Sequence, residues 1–502
     1  MKTFLSFFAP AAPRPAVLQG AALDRRYNFL RIRQVLAMLV TYALFYVCRL
    51  SFSVTKKTMI DSGAYTAKEL GFVGSALLIA YAIGKILNGF LADHANVRRF
   101  IGFGLFASAM ANFAVGFHLY AGVLAAVWFG NGLVQATGAP CCVVALSRWF
   151  SKRERGTYYG IWSCSNNLGE ALCYIITAVV MVWAREYFGE NSPYVWKSAF
   201  WCASAMGLAG IGLVAMFFRD SPQSEGLPPV NVWKNEAADA KEKASAGDVG
   251  KGQRIALTDW AVWMIALSGG LFAASRYAII DWGPFFLQVK KGYGEIDAAW
   301  IVSINSVVGA VSSGLSGIVS DRMFKGSRNE LALIAGVLNV TGLCLLMLVP
   351  GQHMWVDVLA LSFFGLASGI LLTFLGGLMA VDLVPRVAAG AALGIAGMGN
   401  YIGAGIQSIV SGFLIKDLPE TVKELGDGAK LLKDGSTLFK DGRLVDAAGN
   451  TVNRFYSTSF EICGSEVTVD WIAIFWIGVA MLSLLCALSV WKRRPETADG
   501  AR

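Results

Sequence analysis

Five ionisable residues stand inside long apolar stretches of this chain: Arg49, Lys85, Glu170, Arg276 and Asp281. An ionisable side chain at that position in a membrane costs several kcal/mol unless it is paired or wet. Helical spacing gathers neighbours around them. Tyr42, Tyr46 and Arg49 fall on one face, as do Tyr81 with Lys85, and Asn166 with Glu170, Trp162 lying one turn earlier. Arg276 precedes Asp281 and Trp282, ahead of Pro284. A guanidinium is a planar fork suited to phosphate oxygens, whereas an ammonium is a point charge. Arg49, Lys85 and Arg276 set against Glu170 leave a surplus of two positive charges, which suits a phosphate dianion. The bland reading is inter-helical ion pairing alone, for example Glu170 with Lys85. The tyrosines would then only fill helix contacts, and Asp281 would be an outer-end structural group.

The elements that must position these residues follow from composition. The chain has 502 residues, 55% of them hydrophobic and 15% charged, with a mean hydropathy of +0.54. Soluble domains run near 45–50% apolar and about 25% charged, so an ordinary soluble enzyme, a disordered chain and a disulfide scaffold are excluded. A bilayer core takes about 20 apolar residues per helix. Twelve spans are expected, near 33–53, 70–92, 99–118, 121–147, 157–184, 197–218, 256–287, 297–320, 329–349, 354–381, 387–416 and 469–491. The 55 glycines suit close helix contacts in lipid, and no long alternating strands suggest a barrel.

The net charge of +9 sits mainly in short gaps between apolar runs, a membrane-topology pattern and not a nucleic-acid stripe. Arg25, Arg26, Arg31 and Arg33 precede the first span; Lys492, Arg493 and Arg494 follow the last. Short loops on that side carry Arg98, Arg99, Arg148, Lys152, Arg153, Arg155, Arg322, Lys325 and Arg328. Loops on the other side carry fewer, such as Lys56, Lys57, Lys290 and Lys291. The positive-inside rule therefore predicts both ends in the cytoplasm, and the expected location is the cytoplasmic (inner) membrane. Residues 1–32 are expected to be a cytoplasmic tail and not a signal peptide, 33–218 one six-helix bundle, 219–254 a polar cytoplasmic linker, 255–491 a second bundle, and 492–502 a tail. The outward stretch 417–468 carries Asp427-Gly428, Asp434-Gly435 and Asp441-Gly442. These pairs favour tight turns, hence either a small β-hairpin cap or a disordered insertion.

A repeat relates the halves. Gly89-Phe-Leu-Ala-Asp93 and Gly317-Ile-Val-Ser-Asp321 each follow the second span of a half, 228 residues apart; Arg49 and Arg276 are 227 apart. Two features at nearly one offset indicate a duplicated six-helix unit. Transporters so built bind substrate near the midplane, between the halves. The loop Asp93 and Asp321 read as structural partners for nearby arginines.

No cofactor or metal is expected. Eight of nine cysteines lie in apolar runs, Cys463 is in the polar loop, and no spacing resembles a zinc site or redox pair. His94, His118 and His353 fall at loops or span ends. Glu170 is thus the leading carboxylate for any proton coupling.

Tyr42-Ala-Leu-Phe-Tyr46-Val-Cys-Arg49 and Ala80-Tyr81-Ala-Ile-Gly-Lys85 resemble the organophosphate:phosphate antiporter family of the major facilitator superfamily. So do Ser151-Lys-Arg-Glu-Arg-Gly156 with Trp162, Asp220-Ser-Pro-Gln-Ser224, Gly226-Leu-Pro-Pro229, Arg276-Tyr-Ala-Ile-Ile-Asp281-Trp282 and Asp321-Arg-Met-Phe-Lys-Gly326-Ser-Arg328. The resemblance covers about residues 27–416 and the last helix. It implies an all-α membrane protein of two six-helix bundles that works by alternating access. It implies exchange of inorganic phosphate for an organic phosphate such as glycerol 3-phosphate or a hexose 6-phosphate. The family's paired arginines match Arg49 and Arg276, its span-two lysine Lys85, and its tyrosines Tyr42, Tyr46 and Tyr81. Leu50 stands where many relatives have Lys, Asn166 where glycerol-phosphate and hexose-phosphate relatives often have His, and Glu170 near a small Gly position. The segment 417–468 has no recognised counterpart.

The expected activity is secondary transport by a monomer, with no catalysis. Arg49, Arg276, Lys85, Tyr42, Tyr46, Tyr81, Asn166 and Glu170 form the expected site, and Ser368, Asn400 and Tyr401 are candidates for the organic end. Two alternatives stand beside it: a membrane sensor for hexose phosphate acting with a signalling partner, and a proton- or sodium-coupled anion importer using Glu170.

Overall fold

The computed structural model describes residues 7–15, 18–117, 119–234, 254, 257–323, 328–375, 379–384, 389–419, 421–425, 429–439, 443–462 and 465–489. It is an all-helical membrane architecture with one small β appendage. The first half contains α1 (Gly20–Asp61), α2 (Ala67–His94), α3 (Val97–Val115), α4 (Ala121–Gln135), α5 (Gly138–Trp149), α6 (Lys152–Phe188) and α7 (Tyr194–Phe217), followed by a short α8 (Val230–Trp233). The second contains α9 (Trp260–Val289), α10 (Glu295–Met323), α11 (Arg328–Leu348), α12 (Met354–Thr373), the short α13 (Met379–Asp382), α14 (Ala389–Phe413) and α15 (Trp471–Ser489). Among the described residues ten helical stretches are long and apolar enough to cross a membrane, α4 and α5 counting together as one. The helices α3 and α14 occupy the places of the third and eleventh expected spans.

Local chemistry explains the boundaries. A capping box of Thr66 and Glu69 starts α2, Asn96 caps α3, and Asp259 caps α9 through the Ala261 N–H. The single span expected at 121–147 is two helices, broken at Ala136 and Thr137. Pro140 explains the break: it lacks an N–H, and its ring would clash with the carbonyl four residues earlier. The first helix begins at Gly20, well before the expected residue 33, because its basic first turns are helical outside the apolar run.

Within the first half α1 packs on α6 and α7; within the second α9 packs on α14 and α15. The halves meet along α2 with α14, α6 with α10, and α1 with α9. The α2–α14 crossing is close: a Cβ on Gly71 would lie 2.7 Å from the Ser408 carbonyl oxygen, and one on Gly412 2.6 Å from that of Ala67. Outward surfaces are apolar, with Phe72, Ile79, Phe113 and Trp300 exposed as lipid requires.

The start of the expected linker folds back on the first half. The Asp220 carboxylate accepts from Arg148 Nη1 at 2.6 Å, the Val97 N–H at 2.9 Å and the Ala11 N–H at 3.0 Å. Trp233 stacks on Tyr27 with ring centres 4.0 Å apart. Residues 235–253 lie outside the described residues, as do Cys463, Lys325, Lys492, Arg493 and Arg494; the side chains of Asp93 and Asp321 do too.

The 417–468 segment is more than a hairpin. Strands β1 (Thr421–Glu424), β2 (Lys430–Leu432), β3 (Thr437–Leu438), β4 (Leu444–Val445) and β5 (Thr451–Val452) form an antiparallel meander over Leu432, Leu438 and Leu444. A separate hairpin pairs β6 (Ser457–Ile462) with β7 (Ser465–Asp470), Ser457 opposite Asp470. Asp434-Gly435 makes the β2–β3 turn, with Gly435 at φ +82° and hydrogen bonds from Ser436 holding the Asp434 carboxyl below its usual range. Asp427-Gly428 and Asp441-Gly442 lie outside the described residues. This cap grips the first half: Arg454 pairs with Asp61 at 2.8 Å, Lys430 Nζ donates to the Asp61 carbonyl at 2.7 Å, and Lys68 pairs with Asp417 at 2.8 Å.

Candidate functional site

Arg49 on α1 and Arg276 on α9 are both buried at the interface between the halves, 5% and 7% exposed. Arg49 Nε donates to Gln135 Oε1 at 2.8 Å. Its guanidinium lies 4.4 Å from the Tyr81 ring centre and 4.8 Å from that of Tyr46, which is cation–π range. Its Nη2 is buried and has no hydrogen-bond partner among the described residues. Gln135 is the last residue of α4, so the Pro140-induced break places that amide; Gln135 Nε2 is fixed in turn by Ser108 Oγ at 2.9 Å.

Arg276 Nε donates to Ser368 Oγ at 3.0 Å, and its Nη2 meets Glu170 Oε2 at 3.3 Å. Glu170 is fully buried and also accepts from Ser306 Oγ at 2.6 Å and Asn305 Nδ2 at 3.4 Å, both on α10. The bland pairing of Glu170 with Lys85 is therefore corrected: the carboxylate of α6 takes Arg276 and the α10 polar pair. Tyr46 and Tyr277 each lie within Coulombic reach of both arginines, which ties the two guanidiniums to one cluster.

The remaining expected residues divide. Tyr42 and Tyr81 hydroxyls are 3.4 Å apart, and Tyr42 also packs on Trp162 at 5.0 Å. Lys85 is exposed, with Nζ 5.0 Å from the ring centre of Tyr401, and has no ion pair among the described residues. Tyr401 lies 4.9 Å from Tyr81 across the interface. Asn166 is half-buried, and its Oδ1 is buried without a partner among the described residues; the same holds for Asn400 Oδ1. Ser368 holds Arg276 directly.

Asp281 is joined to Lys56, Ser53 and Ser408. Its carboxylate lies 2.7 Å from Lys56 Nζ and accepts from Ser53 Oγ at 3.2 Å and Ser408 Oγ at 2.6 Å. Lys56 is fully buried, its Nζ 3.7 Å from the Trp282 ring centre. The reading of Lys56 as a loop residue is corrected, because α1 continues to Asp61 and carries Lys56 into the interface. Lys291 does lie in the loop after α9, as expected, but it is buried there against Asp357 at 2.9 Å, and Asp357 also accepts from Tyr293 at 2.7 Å. Sequence reasoning missed Gln135, Asn305, Ser306, Tyr277 and Lys56. Only Lys56 left a signal, seven residues and thus two helical turns beyond Arg49.

Towards the cap the interface is shut. Tyr174 donates to the Ile280 carbonyl at 2.9 Å, and Arg185 pairs with Glu295. A cavity of about 20 Å³, room for roughly one water, remains between Arg49 and Asp281. Among the described residues, every ion pair between the halves other than Arg276–Glu170 lies on this side.

The Major Facilitator Superfamily model matches residues 36–416. The chain belongs to the Major Facilitator Superfamily. Among its relatives are the glycerol-3-phosphate transporter of Bacillus subtilis, 31% identical over 82% of this chain and 92% of that one, and the membrane sensor protein UhpC of Salmonella typhimurium, 29% identical over 80% and 89%. The probable hexose phosphate transport protein of Chlamydia pneumoniae is also 29% identical, over 80% and 89%. Two solved structures share the fold. A bacterial homologue of the human lysosomal transporter Spinster, inward-facing and unoccupied, has a TM-score of 0.62 at 17% identity over 77% of this chain and 82% of that one. The D-xylose–proton symporter has a TM-score of 0.61 at 14% identity over 93% and 98%. The chain is a membrane transporter-family protein and not an enzyme, and its relatives include a glycerol-3-phosphate transporter and a probable hexose phosphate transport protein.

Proposed function

We propose that this protein exchanges an organic phosphate, a sugar phosphate or glycerol 3-phosphate, for inorganic phosphate by alternating access. One observation carries the reading: two buried guanidiniums, one from each half, share the Tyr46–Tyr277 cluster, and Arg49 keeps a buried donor unpartnered. A phosphoryl dianion bridging Arg49 and Arg276 would satisfy that donor and offset the repulsion between them. Lys85 adds charge beside Tyr81 and Tyr401; Tyr42, Tyr46 and Asn166 complete the lining. Glu170 competes with the anion for Arg276, so the empty site is neutralised in part and the loaded site releases Glu170 to its α10 partners. Because either phosphate species can bridge the halves, while an empty carrier reorients slowly, exchange follows. In this reading the termini are cytoplasmic, and the shut cap side faces outward.

The test is counterflow in proteoliposomes loaded with inorganic phosphate. Uptake of labelled glycerol 3-phosphate or hexose 6-phosphate only when phosphate is inside supports exchange. Equal uptake by empty vesicles would reject it. The relationship to a membrane sensor protein favours a second reading, a receptor that works with a signalling partner. Such a protein would bind the same ligands and show little counterflow.

A further inference from the structure

At the end of the first half that carries the chain's amino-terminal segment, a cavity of about 850 Å³ opens between α3, α7 and residues 7–14. Its polar rim holds four guanidiniums, Arg14, Arg98, Arg99 and Arg219, and two carboxylates, Asp220 and Glu225. Both carboxylates are already engaged. Asp220 serves Arg148 and two backbone N–H groups, and Glu225 pairs with Arg219 at 2.9 Å. Arg14, Arg98 and Arg99 have no carboxylate within ion-pair distance among the described residues. Arg99 Nη1 donates only to the Phe7 carbonyl, at 2.8 Å, and Arg98 to the Ala215 carbonyl at the end of α7. Arg98 feels the like charges of Arg219, Arg99 and Arg33 against the one opposite charge of Glu225, which is itself paired with Arg219. An anion is what this rim lacks.

The other wall is apolar. Phe103 and Phe106 of α3 are 38% and 46% exposed, and line the same cavity with Gly102, Ile211 and Val214. A Cβ on Gly102 would meet only Val214, at 3.6 Å, so α3 and α7 leave a furrow there. An apolar furrow between two membrane helices, closed at its polar end by unneutralised guanidiniums, matches one amphiphile: a diacyl lipid with an anionic phosphodiester headgroup. A free phosphate would leave the furrow unfilled. A zwitterionic lipid would add a second cation to the rim.

We propose that this cavity is a binding site for an anionic phospholipid, its phosphodiester among Arg14, Arg98 and Arg99 and its acyl chains along Phe103 and Phe106. The site is separate from Arg49 and Arg276, and the proposal does not depend on what those residues bind.

Native mass spectrometry of the full chain in detergent tests it, with phosphatidylglycerol, phosphatidylcholine and inorganic phosphate as probes. The wild-type chain should retain phosphatidylglycerol at least fivefold over phosphatidylcholine. Millimolar phosphate should not displace the lipid. Arg98→Gln/Arg99→Gln should abolish the preference, whereas Lys423→Gln on the far-side cap should keep it. Arg98 supports the end of α7, so the double variant can misfold. Arg14→Gln/Arg99→Gln spares that contact and should lower retention at least threefold. No preference in the wild type, unchanged retention in the Arg14→Gln/Arg99→Gln variant, or displacement by free phosphate would each overturn the proposal.

Discussion

Lys56 of the first half and Asp281 of the second form a buried ion pair, Nζ to Oδ1 2.7 Å, directly on the cap side of the two central arginines. The pair is held by Ser53 and Ser408, one hydroxyl from each half. Both halves contribute a charge and a hydroxyl to one bolt, so separation of the halves here must break it. Removing one partner of such a pair strands a buried charge at a cost of about 3–5 kcal/mol. Lys56→Met should therefore destabilise the shut cap side and favour opening there. The check is thiol labelling of a cysteine placed at Leu78, which lines the small cavity between Arg49 and Asp281, with the reagent added on the cap side. Faster labelling with Lys56→Met than with Lys56 intact is expected; equal rates would remove the pair from any role in closure.

The planar fork, and not charge alone, should matter at the centre. Arg49→Lys and Arg276→Lys each lose hydrogen bonds to a charged ligand worth about 1.5–3 kcal/mol. Phosphate affinity should fall about 10- to 100-fold in each. Titration calorimetry with inorganic phosphate reads this directly, and near-native affinity in both variants would contradict a bidentate site.

Glu170→Gln keeps a hydrogen-bonding group for Ser306 and removes the charge that occupies Arg276. Phosphate binding should tighten several-fold while exchange slows, because the anion loses its competitor for release. If binding and exchange are both unaltered, and the pH profile with them, the carboxylate is a structural element only.

Asp220 concentrates three donors from three parts of the chain: Ala11, Val97 and Arg148. Asp220→Ala leaves the Ala11 and Val97 N–H groups without this acceptor and takes the carboxylate from Arg148, which keeps the Ala95 carbonyl, a loss of about 2–4 kcal/mol. A lower Tm than wild type in detergent is expected, with phosphate affinity retained. A Tm equal to wild type would show that the anchor is dispensable.

Much of this was legible because lipid makes charge conspicuous. Arg49, Glu170, Arg276 and Asp281 stood out against apolar runs, and the offset between the halves placed the two arginines as counterparts. Partner choice was not legible. Whether Glu170 takes Lys85 or Arg276 depends on how α6 meets α9 and α10, a relation between helices distant in sequence. Lys56 was misplaced because hydropathy marks where an apolar run stops, not where a helix stops, and α1 continues to Asp61. Gln135, Asn305 and Ser306 are uncharged, so nothing in composition separates them from ordinary helix-packing polar residues. The turn pair Asp434-Gly435 pointed to strands in the cap, while the five-strand meander depends on Leu432, Leu438 and Leu444 meeting, which short-range signals do not encode.

The glycine contact between α2 and α14 leaves no space for even a methyl group at Gly71 or Gly412. A bulkier residue there acts as a doorstop: it cannot be accommodated while the two helices touch, so it props the cap side ajar whatever occupies the centre. Under the proposed alternating-access exchange, one added side chain would thus hold the opposite conformation still enough to be seen.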